Sequence, residues 1–217
     1  MRISAQQYQF WKPYIELLDC PSQFAIDQTG YMPIVHSPFY VGFDASQAEG
    51  GDAFLSTMVL PRVKEFRSMM ARSDLAKDEI MSALMIVPHQ YYDEFLLMLL
   101  DKYAHCLSDA DHWDLITTIW VQQELNSDSG RVPNWLSIFT MRAPIASLTA
   151  ELPDKFTVYR AGEPSGMSWS RKKRVAQWFA NRLHYCGVAV PISKRVVSRS
   201  EVLFFTNARN EHEVVII

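Results

Sequence analysis

The stretch Arg209-Asn-Glu-His-Glu-Val-Val-Ile-Ile217 sets two carboxylates against an apolar run. On a strand, side chains two apart leave the same face, so Glu211 and Glu213 are expected to project together, roughly 6.6 Å apart along the chain. His212 would then point the other way. Val214 to Ile217 is β-branched and apolar without alternation, which predicts a strand buried on both faces. Paired acids at the mouth of a buried strand suit chemistry, although Glu-x-Glu is also common on solvated faces.

Working back from this strand, the pattern beyond Pro153 is rich in β signals. Phe156-Thr-Val-Tyr-Arg160 reads as a short strand, followed by a turn region at Gly162, Pro164 and Gly166. Ser168-Trp-Ser170 precedes a helix over Arg171 to Leu183, with Ser170 as its N-cap and Val175, Ala176, Phe179, Ala180 and Leu183 on its inner face. Further strands are predicted at Gly187–Ile192 and Glu201–Phe205. Upstream the period becomes helical. Helices are predicted from Ala53 with a kink or split at Pro61, over Leu75–Ile86 and Tyr91–Cys106, over His112–Leu125, and over Asn134–Leu148 with a bend at Pro144. Residues 1–52 read as an irregular lead-in, with an amphipathic piece at Tyr8–Leu18 and a proline-rich extended stretch at Tyr31–Phe43. The expected fold class is α+β, with a mainly helical region over residues 1–150 packed on a mixed β region over 151–217. The boundary is soft, because the helices are needed to complete the core.

At 217 residues the chain can bury a sizeable core. Its net charge of −3 argues against a protein whose main work is coating nucleic acid, while leaving room for a local basic patch such as Arg171-Lys-Lys-Arg174. Three scattered cysteines form no Cys-x-x-Cys pair and suit a reducing cytoplasm. No apolar run is long enough to span a membrane. His105, Asp109, Asp111 and His112 crowd together, but their spacing matches no metal-ligand pattern and helix capping accounts for the aspartates. Methionines 58, 69, 70, 81, 85 and 98 read as core fillers.

Arg160, Ser168-Trp-Ser170 and Glu211-His-Glu213 follow one another in an order that resembles the mono-ADP-ribosyltransferase superfamily of the arginine, serine, glutamate type, known from bacterial toxins and phage-encoded modifying enzymes. The resemblance covers residues 156–217. It implies cleavage of the nicotinamide–ribose bond of NAD and transfer of ADP-ribose to a protein acceptor, arginine when both glutamates are present. Glu213 matches the glutamate that steadies the ribosyl cation, and Glu211 the one that orients the acceptor. Arg160 matches the NAD-binding arginine, Ser168 the serine beside the catalytic glutamate, and Phe179 a ring beneath the nicotinamide. Ala161 stands where the family has glycine directly after the arginine, and Gly162 takes that part. Two alternatives remain open, an NAD glycohydrolase with water as acceptor and a non-catalytic binding protein of the same fold.

Overall fold

The computed structural model describes residues 25–27, 34–37, 40–44, 57, 60–87, 89–122, 132–185 and 190–217. The pieces expected at Tyr8–Leu18 and at residues 187–189 lie outside them. The chain divides into two compact units, Met1–Cys106 and Leu107–Ile217, so the break falls well upstream of residue 150. Among the described residues no helix is long and apolar enough to cross a membrane.

In the first unit, β1 (Ala25–Asp27), β2 (Ile34–Ser37) and β3 (Tyr40–Asp44) form an antiparallel sheet in that order. The proline-rich stretch thus supplies β2 and most of β3. Helix α1 (Leu60–Met70) holds Pro61 in its first turn, where a missing N–H costs nothing. In α2 (Lys77–Met85), Glu79 reaches back to accept the Ala76 N–H at 2.9 Å. Phe66 meets Phe95 of α3 (Tyr92–Tyr103) edge-to-face at 5.2 Å, and the Tyr103 hydroxyl lies 3.1 Å from the Met69 carbonyl. Met69, Met70, Met81 and Met98 are only half-buried and Met85 is exposed, so these methionines flank the core that leucines and aromatics fill.

The second unit opens with α4 (Asp109–Gln122), capped by Ser108, whose Oγ accepts the Asp111 N–H at 3.1 Å. Helix α5 (Val132–Thr140) ends before Pro144, and a separate 3-10 turn follows at Ala146–Thr149, so the expected bend is a break. Then come β4 (Lys155–Ala161), β5 (Ser168–Ser170), α6 (Lys173–Tyr185), β6 (Ile192–Ser198), β7 (Val202–Thr206) and β8 (Glu213–Ile216). They form one sheet in the order β6-β4-β5-β8-β7, antiparallel throughout and not mixed. The strand expected to end at Ile192 begins there. Lys194 and Arg195 disguised it, and they are tolerated because β6 is an edge.

The sheet has to curl. Its two edge strands, β6 and β7, are joined by only Arg199–Glu201, a link that reaches about 14 Å at most. Five flat strands would set those edges about 19 Å apart. The curl gathers Leu152, Val158, Trp169, Val197, Val202, Val214 and Ile216 into one core on the concave side. It also lets the Arg171 guanidinium lie over Phe156 of β4 and Phe205 of β7 at 5.5 and 5.6 Å. On the other side Trp120 of α4, Trp135 and Phe139 of α5, and Phe204 of β7 form an aromatic cluster with centroids 4.9 to 6.1 Å apart. All four residues of β8 are buried between these two layers.

One residue of α4 opposes the fold. His112 is fully buried, and neither ring nitrogen has a hydrogen-bond partner among the described residues. Burial, reinforced by Arg142 and opposed by Asp109, pushes its pKa down to about 4. A base whose folded pKa lies below the unfolded value binds its proton first in the unfolded chain, so stability is intact above about pH 6.5 and falls as pH drops toward 4. The expected loss is about 3 kcal/mol. His112→Leu should be more stable than the parent at pH 7 and should flatten the acid slope between pH 6.5 and 4. Urea midpoints across that range check both, and an unchanged slope would contradict the assignment.

Candidate functional site

Sheet register decides which of the chemically active side chains meet. Ser170 pairs with Glu213 and Ser168 with Val215, so by alternation Ser168, Ser170 and Glu213 share the face that carries the aromatic cluster. Within that row the Ser168 hydroxyl donates to Glu213 Oε1 at 2.5 Å. The indole N–H of Trp120 donates to the same oxygen at 3.0 Å. Glu213 is only 6% exposed. Its Oε1 is fixed twice, while Oε2 takes no hydrogen bond among the described residues, which leaves that oxygen for a ligand.

Arg160 follows the other row. Tyr159 pairs with Ser170, so Arg160 lies with Val158 and Trp169 on the concave side, at the end of β4. Its Nε donates to the Glu163 carbonyl at 2.8 Å and its Nη1 to the Ser168 carbonyl at 2.6 Å. Ser168 therefore joins the two faces, meeting Arg160 through its carbonyl and Glu213 through its hydroxyl. The guanidinium is half-buried and has no carboxylate in ion-pair range among the described residues. Burial pushes its pKa down, and the Glu213 carboxylate opposes that shift. Carbonyl oxygens alone leave its charge unpaired, which is the condition of a cation awaiting an anion.

Glycines shape the loop beneath it. A Cβ added to Gly166 would land on the Arg160 guanidinium, so a side chain there would push the arginine out of this position. Gly162 has a different reason to be glycine. Its φ of 87° lies in the left-handed region, and nothing crowds its missing side chain. Its N–H donates to the Pro191 carbonyl at 3.0 Å, which makes it a turn residue linking β4 to the start of β6.

Glu211 does not share a strand with Glu213. The strand begins at Glu213, and His212 has a φ of 47°, so the two-residue alternation breaks before the second acid. This costs about 1 kcal/mol or more for a residue with a side chain. The bend is held because the His212 N–H donates to Asn207 Oδ1 at 3.1 Å and its carbonyl accepts the Arg171 N–H at 3.0 Å. Ser170 Oγ donates to the Glu211 carbonyl at 2.6 Å and accepts the Lys172 N–H at 3.0 Å, tying the bend to the entry of α6. The Glu211 carboxylate lies 3.5 Å from Arg209. Burial pushes its pKa up; Arg209 opposes this and Glu213 adds to it, so the two acids feel one another without lying in one row. Phe179 is half-buried on α6, and its ring partner is Trp178 at 4.9 Å.

Trp120 and Gly166 are the site residues that reading the chain did not single out. Gly166 stood in a visible turn region, but its pairing with Arg160 has no sequence signal. Trp120 lies 93 residues from Glu213 and reads locally as part of a helix stripe.

No protein-family model matches the chain, and no curated protein or solved structure matches it.

Because Trp120 and Ser168 donate to one oxygen, their removal should be non-additive. Trp120→Phe and Ser168→Ala are each expected to cost about 1–3 kcal/mol, and the double variant more than their sum, since the last donor to a buried carboxylate is worth most. Urea unfolding of the four chains tests this, and simple additivity would argue against a shared acceptor.

Proposed function

We propose that the Leu107–Ile217 unit is an NAD-dependent mono-ADP-ribosyltransferase. The observation that carries the reading is the Ser168–Glu213 hydrogen bond at 2.5 Å, which joins two residues that the family resemblance had paired across 45 positions. The unpaired, half-buried guanidinium of Arg160 supports it as well. Chemically, NAD and an acceptor bearing a hydrogen give the ADP-ribosyl acceptor, nicotinamide and a proton. As the bond to nicotinamide breaks, positive charge grows on the ribosyl carbon and its ring oxygen. Glu213 supplies a fixed negative charge through Oε2, and Ser168 and Trp120 hold it against movement. Arg160 has N–H groups beyond the two that brace the loop, and these would meet the pyrophosphate. Glu211, whose pKa is raised, would receive the proton of a protein acceptor, an arginine in this reading.

One observation favours a reading without turnover. Glu213 is 6% exposed and doubly hydrogen-bonded, as a purely structural carboxylate would also be. Labelled NAD incubated with the full chain and a cell lysate separates the possibilities. Transfer of label to protein, reduced about 10²–10³-fold in Glu213→Gln, is the expected result. Nicotinamide release without protein labelling would make the acceptor water and the activity that of a glycohydrolase. Failure of both in a folded chain would leave a binding protein.

A further inference from the structure

Between residues 164 and 200 the sequence holds eight lysines and arginines and no Asp or Glu, within a chain of net charge −3. The charge is therefore segregated, and its densest part is Arg171 to Arg174 at the start of α6. No acid sits in the first turn of that helix, although its dipole disfavours cations there. Among the described residues none of these four cations forms an ion pair, whereas Arg195 and Arg199 of the same stretch are answered by Glu201 and Asp154. The local potential is felt nearby: after burial, the charges of Lys172, Arg171 and Arg174 push the His212 pKa down.

The same helix presents an aromatic platform. Arg174, Trp178 and Arg182 are four residues apart and so stack along one face. Trp178 is 55% exposed, an unusual position for so large an apolar ring. The Arg182 guanidinium lies 5.8 Å from its ring centre, and Phe179 braces it edge-to-face at 4.9 Å.

We infer that this face of α6 binds single-stranded nucleic acid, with Trp178 stacking on a base and the basic residues around it holding phosphates. Acidic peptides match the charge but offer no flat ring for the indole, and an anionic membrane surface would favour further apolar residues beside Trp178, where Gln177 and Asn181 stand instead. The face begins beside the Glu211–Glu213 bend, to which Arg171 is hydrogen-bonded through His212. It does not depend on the NAD reading, because its evidence lies in α6 and its test involves no NAD.

The test is fluorescence anisotropy of the full chain with a labelled single-stranded oligonucleotide of about 12 mixed-sequence bases, from about 50 to 200 mM salt. Affinity should fall with salt. Trp178→Ala should weaken binding about tenfold with the salt slope unchanged, and Trp178→Phe should recover most of it. Lys173→Gln with Arg174→Gln should flatten the slope by roughly 0.7 for each phosphate that is no longer neutralised. These side chains are exposed, and circular dichroism of each variant establishes that it is folded. No binding at low salt, an unaffected Trp178→Ala variant, or equal displacement by polyglutamate or by phosphatidylserine vesicles at matched charge would each overturn the inference.

Discussion

A single carboxylate oxygen ties the second unit together. Glu213 Oε1 accepts from Ser168 on the neighbouring strand and from Trp120 on a helix far away in sequence. A carboxylate this deeply buried is costly unless its hydrogen bonds are satisfied, so the sheet register and the seat of α4 must both be correct at once. The aromatic cluster around Trp120 makes that seat specific, because Trp135, Phe139 and Phe204 fix the indole from three sides. The curled sheet does the same from beneath by burying Val214 and Ile216 in the concave core.

Around this point the backbone is held under constraint. His212 carries a positive φ directly before Glu213, and three residues from two segments grip the bend: Asn207 from one, Ser170 and Arg171 from the other. On the other face Arg160 spends two N–H groups bracing the loop that leads to Ser168, and Gly166 clears the room for it. Strain and unpaired charge of this kind are poor choices for stability alone. The Glu213 carboxylate and the half-buried Arg160 guanidinium lie on opposite sheet faces and are joined through Ser168.

The terminal strand was legible because a run of β-branched residues has few places to go but a buried strand; Val214, Val215 and Ile216 are buried in it, while Ile217 lies beyond it and is exposed. Ser168 and Glu213 were legible as a pair through the family resemblance. The Glu211–Glu213 alternation was not, since it assumed that the strand began two residues earlier; Asn207 and Ser170 impose the bend through contacts that no local pattern records. The edge strand β6 was missed for a related reason: Lys194 and Arg195 look like loop residues, and only the sheet order shows that this strand has a free edge. Pro144 was read as a bend within a helix, whereas it follows the end of one. Trp120 shows the limit most clearly, because its partner is fixed by tertiary packing alone.

Whether Arg160, Ser168 and Glu213 form a site for NAD is tested most directly by the thermal unfolding of the full chain with and without NAD, alongside Arg160→Lys, which keeps the charge but loses the planar fork. At about ten times its dissociation constant, NAD should stabilise the folded chain by about 1.4 kcal/mol, a rise of roughly 3–6 °C for a protein of this size, and the rise should shrink or vanish in the variant. A folded native chain whose unfolding temperature does not move at millimolar NAD, or a rise equally large in Arg160→Lys, would contradict it.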